Sequence, residues 1–204
     1  MTYLNNNTST VKLSFRLGPG QLSAFHQLLQ GGIRLQVRVG GSVKDFLCTQ
    51  FEISPEYVEK RIQTIFLDGK PVDDINKAVI KNGSTLALSA ALPGLAGATL
   101  RRGGVLSSLR SPITYPDDEK SIPLEEGWVI LKLFNILIKE LGPIFLRKGI
   151  YITRDDFAGF CQSLPEKFWA WIQEPELNGQ KIDLESLRQM KWVDGYEYVA
   201  LRVL

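Results

Sequence analysis

One histidine, two cysteines and two methionines are all that this 204-residue chain holds of those types. A zinc site of the usual kind needs four His or Cys ligands, so a protein-only site of that sort is excluded and no metal or cofactor is expected. A histidine-dependent triad has a single candidate base, His26, which flanks Phe25 on a helical pattern and reads as structural. Cys48 and Cys161 make no disulfide framework, which suits a reducing compartment, and a cytoplasmic location is expected. The opening MTYLNNNTST is polar and lacks the positive start and apolar core of a secretory signal.

Long apolar runs are missing as well. Residues 86–100 are uncharged but number only 15 and are broken by Pro93, Gly94 and Gly97. Residues 128–146 are long enough, yet Lys132, Lys139 and Glu140 interrupt them. A bilayer span needs roughly 20 apolar residues, so no membrane span is expected. Runs of Lys or Arg are also absent. Residues 1–104 carry 12 basic and 7 acidic side chains, a net +5, and residues 105–204 carry 12 and 15, a net −3. The sign change supports two parts, but it is too mild to imply nucleic acid. Arg34 and Arg38 alternate with apolar residues as on the solvated face of a strand.

What is present is a succession of short elements. Residues 11–17 alternate apolar and polar, predicting a half-buried strand. Leu22, Phe25, Leu28 and Leu29 recur at helical spacing up to Gly31-Gly32. Ile33, Leu35, Val37 and Val39 make the clearest strand, and Gly40-Gly41 predicts a hairpin into a second strand over 42–48. Ser54-Pro55-Glu56 has the chemistry of a helix start. Residues 64–67 predict a strand, Asp68-Gly69 a hairpin turn, Asn82-Gly83 another turn and 85–90 a strand. Residues 107–123, with Pro, Ser and an acidic cluster, predict a linker. Trp128, Leu131, Phe134, Leu137 and Leu141 predict a largely buried helix over 124–141, ended or kinked by Gly142-Pro143. Thr153 and Asp183 predict helix N-caps, Pro165 opens a short helix, and 196–203 alternates weakly as a strand.

The fold expectation is α+β: a mixed sheet in the first half, followed by a mainly helical C-terminal region. The boundaries are a disordered tail at 1–10, a sheet domain at 11–106, a linker at 107–123 and a helical domain at 124–204. A ferredoxin-like sandwich over 11–67 is the rival arrangement.

Few residues invite chemistry. The carboxylate pairs Asp73-Asp74, Asp117-Asp118 and Asp155-Asp156 are adjacent in sequence and point apart, so no acid–base pair is formed. Neither Gly18-Pro19-Gly20 nor Gly31-Gly32 has the context of a phosphate loop. No catalytic residue is assigned. Three features stand out instead: the apolar stretch around Leu92, Pro93 and Leu95, too rich in Gly and Pro for a regular helix; the Arg101-Arg102-Gly103-Gly104 sequence; and Trp169 and Trp171.

Residues 65–72 (IFLDGKPV), 81–89 (KNGSTLALS), the apolar 90–97 (AALPGLAG) and 100–104 (LRRGG) follow one another in an order that resembles the ubiquitin-like β-grasp superfamily. Within it, the similarity is nearest to the sulfur carriers of thiamin and molybdopterin synthesis, and it covers residues 33–104. The resemblance implies a β-grasp-like sheet. It also implies a Gly-Gly end that is adenylated and converted to a thiocarboxylate, or conjugated to a partner, because a flexible chain without side chains must thread an active site. Here 100 residues follow Gly104, so that role requires cleavage. The leading expectation is therefore a non-enzymatic protein-binding or scaffold module whose partner is another protein. The alternatives are a ubiquitin-like or sulfur-carrier protein acting through Gly103-Gly104 after processing, and an enzyme with a site between the halves.

Overall fold

Strong period-two alternation becomes strand. In the computed structural model, which describes residues 9–106, 113–115 and 123–204, strand β1 (Thr10–Arg16) buries Val11, Leu13 and Phe15 and exposes Lys12 and Arg16. Strand β2 (Ile33–Val39) buries Ile33, Leu35, Val37 and Val39 and turns Arg34, Gln36 and Arg38 the other way. Between them a 3-10 segment (Pro19–Phe25) runs into helix α1 (His26–Gly31). The expected tail at 1–10 and linker at 107–123 lie outside the described residues, except for 9–10, 113–115 and 123. The chain is mixed α/β and divides into two compact units, Leu29–Leu141 and Met1–Leu28 with Gly142–Leu204.

The unit Leu29–Leu141 holds β2, helix α2 (Pro55–Arg61), strands β3 (Thr64–Leu67), β4 (Lys70–Pro71) and β5 (Thr85–Ser89), helix α3 (Gly94–Leu100) and strand β6 (Glu125–Leu133). Its strand order is β4-β3-β5-β6-β2. β6 is antiparallel to β2, with Leu131 opposite Ile33 and Glu125 opposite Val39, and parallel to β5, with Leu131 opposite Leu86. β3 lies antiparallel to both β5 and β4. Asp68 and Gly69 make the tight turn with positive φ of 50° and 77°, as a two-residue hairpin requires. α2 starts as its sequence predicts, with the Ser54 hydroxyl accepting from the Tyr57 N–H and Pro55 in the first turn.

Two expectations fail in this unit. Residues 42–48 are not a strand: after an isolated bridge at Ser42, the chain turns helical, with π geometry over Asp45–Gln50. The Ser42 hydroxyl accepts from the Asp45 N–H and starts that turn, and Phe46 and Leu47 are buried by it. Residues 124–141 are not one helix. The i, i+3 stripe from Trp128 coincides with a period-two set, Gly127, Val129, Leu131 and Leu133, and the sheet buries the latter. Asn135 at φ 54° then breaks the strand before helix α4 (Ile136–Lys148), which continues past Pro143 to its end.

The second unit is organised by β1. To one side β1 is parallel to β10 (Tyr198–Val203), and to the other it is antiparallel to β8 (Gln173–Leu177). β7 (Ile150–Thr153) extends the sheet beyond β10, and β9 (Gln180–Lys181) extends it beyond β8. Because β1 sits in this unit and β2 and β3 in the other, the ferredoxin-like order over 11–67 is not formed. Helices α5 (Arg154–Ser163), α6 (Glu166–Trp169) and α7 (Leu184–Gln189) intervene, with Thr153 and Asp183 accepting from the Asp156 and Ser186 N–H groups as predicted caps. Phe25 is fully buried, 5.0 Å from the Phe160 ring and 6.2 Å from the Phe168 ring. Residues 124–204, expected as mainly helical, thus hold strands β6 to β10 as well as α4 to α7.

Candidate functional site

The segment from Leu92 to Leu106, within the Leu29–Leu141 unit, gathers seven of the nine residues singled out by sequence. It contains a helix after all, α3. Pro93 is extended, Gly94 turns with φ 72°, and the seven residues Gly94–Leu100 wind as the helix. Gly97 makes this possible: a Cβ there would lie 1.7 Å from the Leu92 carbonyl oxygen. Gly-rich composition, taken as a sign against a helix, is the condition for packing this one against its own lead-in. Leu95 is 75% exposed on α3, Pro93 is exposed, and Leu92 and Leu100 are half-buried.

Arg101 to Gly104 form a folded turn. The Arg101 N–H donates to the Gly97 carbonyl, and the Arg102 N–H donates to the Gln63 carbonyl at 2.8 Å. The Arg102 side chain, only 9% exposed, sends its guanidinium to the Val58 carbonyl and the Glu59 carboxylate, both at 3.2 Å. Gly103, at φ 60°, donates its N–H to Asp73 Oδ1 at 3.4 Å, and Gly104 N–H returns to the Arg101 carbonyl at 3.1 Å. Immediately beyond, Val105 is 96% exposed. So Arg102 is tied to α2 and Gly103 to the loop bearing Asp73.

Two concavities flank this turn. One, of about 540 Å³, is lined by Glu59, Gln63, Ala98, Arg101, Gly104 and Leu106 among others. The other, of about 440 Å³, lies against Lys44, Cys48, Asp73, Asn76, Arg102 and Gly103. Cys48, expected on a strand, faces this second concavity from the helical turn. Burial pushes its thiol up, Asp45 adds to the effect and Lys44 opposes it, so the sulfur is held as a thiol rather than a nucleophilic thiolate. Asp74, next to Asp73, caps Asn76 through its side chain and backbone, which hold its carboxyl below the usual range. The two adjacent carboxylates serve different partners and form no acid–base pair.

Trp169 and Trp171 belong to the other unit. Their rings meet the buried Phe168 edge-on, each at 6.3 Å. Lys167 lies over Trp171 at 5.6 Å, and Arg188 lies over Trp169 at 5.8 Å while pairing with Glu166. Trp169 also borders a concavity of about 490 Å³ with Arg154, Cys161 and Lys191. Burial raises the Cys161 thiol to about 12. Among the described residues, no group of three or more His, Cys, Asp or Glu is placed to hold a metal ion, and no helix is long and apolar enough to cross a membrane.

Sequence reasoning missed the partners that fix the turn, Val58, Glu59, Gln63 and Asp73, and the cluster in which Glu140 accepts from Tyr57 Oη at 2.5 Å and from the Arg61 guanidinium. A buried arginine has no local signature, since charged residues are almost always exposed unless paired. No family model, curated protein or solved structure matches this chain.

Proposed function

We propose that the chain is a cytoplasmic, non-enzymatic protein-binding module whose docking element is α3 with the turn that follows it. One observation carries the reading: a short apolar helix presents Leu95 and Pro93 to solvent, while Arg102 ties its C-terminal end to the body. An apolar side chain fixed on a rigid element loses little entropy when a partner covers it, which favours binding. We also propose that the Leu29–Leu141 sheet is β-grasp-like. In support, β2 and β5 are strands of one mixed sheet, and β6 stands beside β2 in the place expected for a hairpin strand at 42–48. The two free cysteines support the location.

A photo-crosslinking side chain at position 95 in the full chain, expressed in source cells, tests the docking reading. One dominant protein adduct is expected, reduced at least tenfold in a Pro93→Asp variant and absent when the crosslinker stands at position 181. Adducts of equal yield from both positions, or none from position 95, would overturn it. Intact mass of the same material addresses the carrier alternative: a species ending at Gly104 with a thiocarboxylate would replace the docking reading with that one.

A further inference from the structure

The peptide after Gly104 is at the surface, yet neither unit lies on one side of it. β6, from the later half, sits between β2 and β5, both from the earlier half. It is antiparallel to one over Ile33–Val39 and parallel to the other over residues 85–88. Its Val129, Leu131 and Leu133 are fully buried. In the other unit the relation is reversed: β1, from the earlier half, sits between β10 and β8 of the later half, with Val11, Leu13 and Phe15 buried. Each half therefore donates an interior strand to a sheet completed by the other. Withdrawing either strand would bare the hydrogen-bonding edges of two neighbours and a row of core side chains.

We infer that a chain cut after Gly104 does not come apart. Hydrolysis of the Gly104–Val105 bond by water, with a protease as catalyst, gives a Gly104 carboxylate and a Val105 amine, and both pieces stay in place through β1 and β6. A Gly-Gly terminus made this way is carried by a two-piece assembly of the whole 22.9 kDa chain, not by a freed domain of half that size. The earlier half without β6 lacks the middle of its sheet, so any acceptor of that terminus must accommodate both pieces. This holds whatever α3 binds.

The test places a site-specific protease recognition sequence between Leu106 and Ser107 of the full chain, so that β1 and β6 remain on opposite sides of the cut. After complete cleavage, both pieces are expected to elute together at the position of the uncut protein. This should persist in about 1 M salt, where a screening length near 3 Å removes the attraction between the +5 and −3 halves. Backbone amides of β2, β5, β8 and β10 should stay protected from hydrogen exchange, and the thermal midpoint should become concentration-dependent, as for any two-piece fold. Pieces that separate or precipitate, or that elute together with those amides unprotected, would overturn the inference.

Discussion

Arg102 shows how a charged side chain can be structural. Its stem is packed, and its guanidinium reaches a backbone carbonyl of α2, that of Val58, which has few other donors near the helix end. The same guanidinium pairs with Glu59, but that carboxylate is 78% exposed, and ion pairs in water are worth about 0–1 kcal/mol. Arg102→Ala is expected to cost about 1–3 kcal/mol by urea titration, the scale of a lost charge-assisted hydrogen bond with its packing. Glu59→Ala should cost at most a few tenths of that. Equal losses from both variants would show that the ion pair, not the carbonyl contact, holds the turn. Thr64 presents the opposite case. It is 1% exposed on β3, and its hydroxyl has no hydrogen-bond partner among the described residues. Thr64→Val keeps the shape and removes the stranded group, so the urea midpoint should rise by the equivalent of about 1 kcal/mol with an unchanged slope. A lower midpoint would mean the hydroxyl is satisfied.

At the level of elements, the signals with local physical causes were legible and those set by distant packing were not. Ser54, Thr153 and Asp183 announced their helices because a cap is satisfied within three residues. Asp68-Gly69 announced its hairpin because positive φ is a local demand. By contrast, Trp128 to Leu133 satisfied both periods, and only β2 and β5 on either side decided for strand. α3 was hidden because glycine lowers helix propensity, while the reason for Gly97, the approach of the Leu92 carbonyl, is invisible in sequence. The link between α2 and α4 was hidden for the same cause: Tyr57 and Arg61 find Glu140 across 83 and 79 positions. This cluster gives a pH prediction. The Arg61 guanidinium, and then the Tyr57 hydroxyl, hold the Glu140 carboxyl below its usual value. Stability from Glu140 is thus present above the ordinary glutamate range near 4.3 and is lost as pH falls through the lower folded value. Tyr57, raised by burial and by Glu140, acts at the other end: its contribution is present below about 10 and lost as pH climbs through its folded value. Glu140→Gln should flatten the acid limb of the stability curve between pH 5 and 3, read by the thermal midpoint at each pH. An unchanged acid limb would place the titration elsewhere.

For the whole molecule, the unit built on β1 is the sharper test of how distant segments are joined. β1 pairs in parallel with β10, with Leu13 opposite Leu201, and antiparallel with β8, with Leu13 also opposite Leu177. Leu13 and Leu201 are 2% and 0% exposed, so a charge at position 13 would be taken out of water among apolar side chains. Leu13→Asp should therefore cost about 4 kcal/mol or more, a large part of the roughly 5–15 kcal/mol that holds a domain folded. Because β1 has a neighbour on each side, its loss strips pairing from both at once. Amides of β8 and β10 should lose protection from hydrogen exchange together, though their strands lie more than 20 residues apart in sequence. A surface control, Lys12→Asp on the exposed face of the same strand, should leave both protected. Loss of protection at β10 alone would mean that β8 folds without β1, and the unit would then depend on the parallel pairing only.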